Sequence, residues 1–83
     1  MNGNADAILE RLANVIRKTF HLPPSAAITR KTTSADVDGW DSLAYASLIM
    51  SVEEEFAVEL PMDRVYELSD VGELADIVGA TMT

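Results

Sequence analysis

The sequence predicts an all-α protein, a four-helix bundle of three longer helices and one short one. Three observations lead there. Apolar residues recur at helical spacing in three stretches, no stretch alternates with the two-residue period of a strand, and the breaks between stretches fall at proline and glycine. Eighty-three residues are enough for one domain, residues 1–83, with a simple aliphatic core.

In the first stretch Ile8, Leu9, Leu12, Val15, Ile16 and Phe20 form an apolar stripe, with Glu10, Asn14, Arg17 and Lys18 between them. This predicts a helix over about residues 5–20, started by Asn4 or Asp6 as a cap. Arg17 and Lys18 fall in its last turn, where the helix dipole favours cations, and Pro23-Pro24 ends it. From His21 to Asp41 the periodicity gives way to proline, serine, threonine, aspartate and glycine, the composition of a loop. A loop this long has to be functional or packed by its own apolar residues, so Ile28 and Val37 are its expected anchors, with room for a short helical turn.

Tyr45, Leu48, Ile49, Val52 and Phe56 repeat at i, i+3, i+4, i+7 and i+11, which predicts a second helix over Ser42 to Phe56. With Asp41 as its N-cap, Trp40 and Tyr45 have the spacing of a hydrophobic staple. Leu60-Pro61 breaks the chain again and starts a short helix, Met62 to Tyr66, with Val65 and Leu68 inward. The last helix begins at Ser69 or Asp70. There Asp70 and Glu73 have capping-box spacing, and the helix turns Val71, Leu74, Ala75 and Val78 inward before Gly79.

Fourteen acidic against six basic residues give a formal charge of −8. Such a chain repels phosphate backbones and anionic lipid, so nucleic acid and membrane are excluded as partners, and partners rich in arginine and lysine are favoured. The start Met1-Asn2-Gly3-Asn4-Ala5-Asp6 lacks the basic and apolar regions of a signal peptide, so a cytoplasmic protein is expected. With no cysteine and one histidine, the chain has no thiolate nucleophile, no thiolate metal site and no motif that needs two histidines. Glu53-Glu54-Glu55 lacks calcium-loop spacing and is assigned no metal. His21 is read as a helix-end residue that interacts with terminal carbonyls.

The chemistry concentrates at Gly39-Trp40-Asp41-Ser42-Leu43. Ser42 stands at a turn-to-helix junction, where a serine can serve simply as a cap or first-turn residue. Its hydroxyl also projects from a rigid element at the positive end of a helix dipole, which suits a phosphoryl group attached there and carried. A catalytic serine is excluded. His21 lies beyond a long loop, and no nucleophile-elbow pattern surrounds Ser42. On the neighbouring face of the same helix Leu43, Ala46, Ser47 and Met50 recur at helical spacing; they form either an exposed docking strip or a wider core face.

Gly39-Trp40-Asp41-Ser42-Leu43, followed at these spacings by Leu48-Ile49, Glu53-Glu54-Glu55-Phe56 and Leu60-Pro61, resembles an acyl carrier protein. The likeness covers nearly the whole chain, from the first helix to Val78. It implies a carrier without catalytic residues, to whose Ser42 a carrier-protein (phosphopantetheinyl) synthase transfers 4′-phosphopantetheine from coenzyme A. The magnesium belongs to that enzyme, and the arm supplies the thiol this chain lacks. The further partners implied are acyl-loading, acyl-transfer and condensing enzymes, and the partner-binding residues expected are Asp41, Leu43, Ala46, Ser47, Met50, Glu53, Glu54 and Arg64. Asp41 is expected to cap the helix and to dock a basic synthase. Leu48, Ile49, Val52, Leu60, Val65, Leu68 and Ile77 are expected to line the space between helices into which family members admit an acyl chain.

The pattern departs from carriers that resemble the housekeeping fatty-acid type. Ala44 and Ser47 interrupt the acidic strip after the serine, and Met62 and Arg64 stand where such carriers are acidic, whereas Glu53, Glu54 and Glu59 remain. Exposed charge sets encounter rate and partner choice, so this surface should select other enzymes. The G-W-D-S-L variant is similar to discrete carriers of polyketide or modified fatty-acid pathways, although a staple on Tyr45 accounts for Trp40 equally well. The alternatives are a housekeeping carrier, an aminoacyl or peptidyl carrier, and an unmodified helical interaction module. A freestanding monomer is expected.

Overall fold

The computed structural model describes residues 3–82 in backbone and 7–82 in side chains. Four α-helices follow one another: α1 (Gly3–Thr19), α2 (Ser42–Phe56), the single turn α3 (Met62–Val65) and α4 (Val71–Met82). A short 3-10 turn, Ser34–Asp36, interrupts the loop between α1 and α2. Among the described residues there is no strand, and no helix is long and apolar enough to cross a membrane.

The apolar stripes meet in one core. Leu12, Val15 and Ile16 of α1 pack with Leu48, Ile49, Val52 and Phe56 of α2, Val65 of α3, and Val71, Leu74, Ala75, Ile77 and Val78 of α4. Each Leu, Ile or Val taken fully from water contributes about 1.5–3 kcal/mol, so these side chains carry the driving force of the bundle. α1 packs against both α2 and α4. Ile8, Leu9 and Phe20 complete the α1 stripe at the edge of the core, half-buried. In the long loop Val37 is buried and Ile28 half-buried, so the loop is pinned by the two residues expected to anchor it.

α1 starts at Gly3, ahead of Asn4 and Asp6, and the caps expected of those two side chains lie outside the described residues. At its other end the His21 amide reaches the Lys18 carbonyl at 3.4 Å and the Leu22 amide reaches the Arg17 carbonyl at 2.8 Å. These are the two bonds of a Schellman close, with His21 in the left-handed position at φ 57°. His21 therefore serves the helix end through its backbone. Arg17 fastens the same end to the loop, its Nε donating to the Ala26 carbonyl at 2.8 Å.

α2 closes similarly. Ala57 adopts φ 54°, and the amides of Ala57 and Val58 both reach the Glu53 carbonyl. The Glu53 carboxylate then accepts the Leu60 N–H at 2.9 Å, so this one residue turns the chain out of α2 and toward α3. Pro61 caps α3 with its carbonyl, which receives the Arg64 and Val65 amides.

α4 runs through Gly79 to Met82, beyond the stop expected there. Gly79 is half-buried, and in the following turn the Thr81 hydroxyl donates to the Ile77 carbonyl at 2.8 Å. Its amino end is fully paired. Val71 N–H goes to the Thr32 carbonyl at 2.9 Å, Gly72 N–H to the Arg30 carbonyl at 2.8 Å, and Glu73 N–H to Asp70 Oδ1 at 2.9 Å. The Glu73 carboxylate reaches back to the Ser69 N–H at 2.6 Å, one residue earlier than a capping box requires. The loop approaches so closely that a Cβ on Gly72 would lie 2.9 Å from the Arg30 carbonyl oxygen.

Two substitutions check these closures. Glycine to alanine in an open helix interior gains about 1 kcal/mol, but Gly72→Ala is expected to lose about 1–3 kcal/mol in urea unfolding, because the added methyl must push the loop away. Ala57→Gly should instead raise the unfolding free energy by about 0.5 kcal/mol, since it relieves a left-handed alanine at some entropic cost.

Candidate functional site

The turn Val37-Asp38-Gly39-Trp40 feeds the chain into α2. Its Trp40 N–H reaches the Val37 carbonyl at 3.4 Å, and Gly39 holds φ 85°, a conformation open to glycine and strained for other residues. Trp40 then stacks between two rings, Phe20 at 5.1 Å and Tyr45 at 5.9 Å between centroids. The second of these contacts is the staple, and the first ties it to the end of α1. Asp41 caps α2, with Oδ1 accepting the Ala44 N–H at 2.8 Å, and its carbonyl takes the Tyr45 N–H.

Ser42 follows as the first helical residue and is exposed. Its hydroxyl has no hydrogen-bond partner among the described residues, and it lies at the rim of a groove of about 310 Å³. A fixed helix tip with an unengaged hydroxyl suits a phosphodiester, whose negative charge the helix dipole stabilises.

Leu43 is 83% and Met50 65% exposed, so these two belong to the surface strip and not to a wider core face. Ser47 is exposed beside them and Ala46 half-buried. Asp41, Glu54 and Arg64 are also exposed, and Asp41 keeps its cap bond while remaining open to solvent. Glu53 is half-buried, and its carboxylate accepts the Leu60 N–H, so it also has a part within the fold. Glu55 pairs with Arg11 at 3.0 Å, an ion pair in which the guanidinium also covers Phe56.

The residues expected to line an acyl space fall into two groups. Leu48, Ile49, Val52, Leu60 and Val65 are buried in the packed core and line neither the groove at Ser42 nor a second one of about 360 Å³ between α3 and α4. Ile77 borders the second groove, and Leu68 borders both. The groove at Ser42 is walled instead by Trp40, Tyr45, Tyr66 and Leu68, with Thr33, Ser34 and Ser69 on its polar side. Tyr66, half-exposed, had no legible signal, because a single helical turn is too short to display a period. Thr33 and Ser34 sit in a loop without periodicity.

Tyr45 bridges α2 and α3. Its hydroxyl donates to the Val65 carbonyl at 2.5 Å and its ring meets Tyr66 edge-on at 5.3 Å. Burial pushes the phenol up to about 12, with the neighbouring Tyr66 adding to the rise.

Residues 10–78 match the model of the phosphopantetheine attachment site family. The chain is 34% identical to an acyl carrier protein of Acidothermus cellulolyticus over 79 residues, 94% of this chain and 93% of that one. It is 32% identical to an acyl carrier protein of Caulobacter vibrioides over 71 residues, 86% of this chain and 90% of that one. The fold is similar to the solution structure of a holo acyl carrier protein from Geobacter metallireducens, with a TM-score of 0.80 at 34% identity, covering 89% of this chain and 84% of that one.

The raised phenol fixes a sign for alkaline stability. The folded state holds the Tyr45 proton more tightly than the unfolded chain, whose tyrosine loses it near 10. The contribution is therefore complete below pH 10 and lost as pH rises from 10 to 12. Urea midpoints across that window should fall more steeply for the native chain than for Tyr45→Phe.

Proposed function

The chain belongs to the acyl carrier proteins, carriers and not catalysts that hold a covalent 4′-phosphopantetheine, and from that premise we propose that Ser42 is the residue that bears the arm. The observation that carries this reading is the exposed, unengaged Ser42 hydroxyl at the capped tip of α2. When bound, the arm supplies a thiol on which acyl groups ride as thioesters.

Loading asks little of this chain. A synthase directs the Ser42 oxygen at the pyrophosphate of coenzyme A; a new phosphorus–oxygen bond forms, the adenosine bisphosphate half leaves, and the hydroxyl proton passes to a base on the synthase. Orientation is this chain's contribution. The Asp41 cap and the Trp40 stack hold the hydroxyl at one place, and the attacking group brings no conformational search of its own. The exposed Asp41 and Glu54 steer a basic partner, and Leu43 and Met50 give it apolar surface to bury.

The same surface supports a specialised pathway, of the polyketide or modified fatty-acid kind, over bulk fatty-acid synthesis. Ser47 is exposed where an acidic residue would continue the strip, Arg64 adds positive charge on α3, and Glu53 is withdrawn into a structural bond. Charge complementarity governs which enzymes meet a carrier, so partners here should be less basic and more dependent on apolar contact. The setting we assign is a cytoplasmic monomer.

Incubation with coenzyme A and a promiscuous synthase should add the arm's mass to the native chain and nothing to Ser42→Ala; a native chain that stays unmodified would overturn the assignment. A panel of loading enzymes from fatty-acid, polyketide and aminoacyl systems then reads the pathway, with polyketide or modified-lipid enzymes expected to charge the holo chain fastest.

A further inference from the structure

The groove at Ser42 and the packed interior behind it bear on the cargo, provided that Ser42 carries the arm as proposed above. Ser42 is itself one of the residues that line the groove, so a group tethered there can reach it without leaving the surface. One wall offers Trp40, Tyr45, Tyr66 and Leu68, and the other offers hydroxyls from Thr33, Ser34 and Ser69. Val71 and Leu74 of α4, two members of the core, also line it, whereas Leu48, Val52 and Val65, between α2 and α3, are fully buried and do not border it.

Tyr45 stands between the two regions. It begins the same α2 stripe that continues inward through Leu48, Ile49 and Val52. Its hydroxyl is bonded to the Val65 carbonyl of α3 at 2.5 Å, and its ring is held by Trp40 on one side and by Tyr66 at 5.3 Å on the other. A chain entering between α2 and α3 from Ser42 has to displace this ring, break its bond and leave the Val65 carbonyl without that donor. Loss of a buried hydrogen bond opposes such entry.

We propose that Tyr45 is a specificity-determining plug, which bars straight apolar acyl chains from the core between α2 and α3 and keeps the cargo, with the distal part of the arm, in the outer half-polar groove. The fitting cargo is a short acyl group with neutral hydroxyl or keto oxygens. The hydroxyls of Ser34 and Ser69 can bond such oxygens, and the aromatic wall covers the short carbon chain. A free carboxylate on the cargo is disfavoured, because Asp41 and Asp70 both border the groove.

The test uses the full chain charged by a promiscuous synthase from coenzyme A, octanoyl-coenzyme A and 3-hydroxybutyryl-coenzyme A, with mass spectrometry confirming each load. A chain that gains no mass refutes Ser42 as the attachment site and leaves the plug without cargo to exclude, so that failure is separate from those that follow. In the loaded native chain the amides of Thr33, Ser34 and Ser69 and the indole of Trp40, the single tryptophan, should shift in NMR spectra. The methyls of Leu48, Val52 and Val65 should stay where the unmodified chain has them, and octanoyl loading should move the melting midpoint by less than about 1 °C relative to the bare arm. In Tyr45→Ala the octanoyl chain should shift those core methyls and raise the midpoint by about 4–8 °C over the bare arm. Core methyl shifts in the octanoyl native chain, or groove amides that do not respond to loading, would overturn the proposal even if the variant failed to fold. So would a folded Tyr45→Ala in which octanoyl leaves the core methyls unmoved.

Discussion

The ring of Trp40, stacked between Phe20 and Tyr45, is the contact on which the site depends. A serine at the start of a helix is common, and its hydroxyl serves another enzyme only if the helix tip is held in one place. Here three rings from different segments meet at that tip: Phe20 at the close of α1, Trp40 on the entering loop, and Tyr45 one turn into α2. Stacked rings at about 5–6 Å each add roughly 0.5–1.5 kcal/mol beyond the area they bury, and rings with two side-chain torsions cost little entropy to fix. Tyr45 then passes the constraint to α3 through the Val65 carbonyl. Ser42 itself contributes no contact to this assembly, which leaves its hydroxyl available.

A second constraint comes from the other side of the long loop. Backbone carbonyls of Arg30 and Thr32 take the first two amides of α4, and Thr32 is itself buried, its hydroxyl receiving the Thr29 N–H at 2.9 Å. Helix starts normally find partners in their own caps or in water. Borrowing them from the loop makes the loop part of the bundle, and explains how about twenty residues without regular structure can carry a site. Arg30 adds a surface pair with Asp76 at 2.9 Å, worth little alone and consistent in direction with the carbonyl bond.

Charge is divided between fold and function in a way that counting acids does not reveal. Of the acidic run at the end of α2, Glu53 is committed to the chain's own amide, Glu55 to Arg11, and Glu54 faces solvent. The exposed surface near Ser42 is accordingly led by Asp41, Leu43 and Met50, less acidic and more apolar than the net charge of −8 suggests. An apolar strip beside a short acidic cap favours recognition by fit over recognition by long-range attraction.

Much of this was legible in the chain alone. The bounds of α2, the Asp41 cap, the Trp40–Tyr45 staple, the loop anchors Ile28 and Val37 and the inward faces of α1 and α4 follow from period, capping chemistry and residue type, all local properties that a linear sequence displays. The position of Ser42 at a helix tip follows from them. What the tertiary structure alone decided depends on which surfaces meet. Periodicity marks a residue as apolar and inward but does not say what it faces: of the residues expected around an acyl space, Leu48, Ile49, Val52, Leu60 and Val65 are buried in the core, whereas Leu68 and Ile77 border grooves. It cannot assign Glu53 to an amide seven residues on, or bring Tyr66 and the hydroxyls of a distant loop to the same groove. Those are pairings across the bundle, set by how four helices and one loop fit together, and no single segment encodes them.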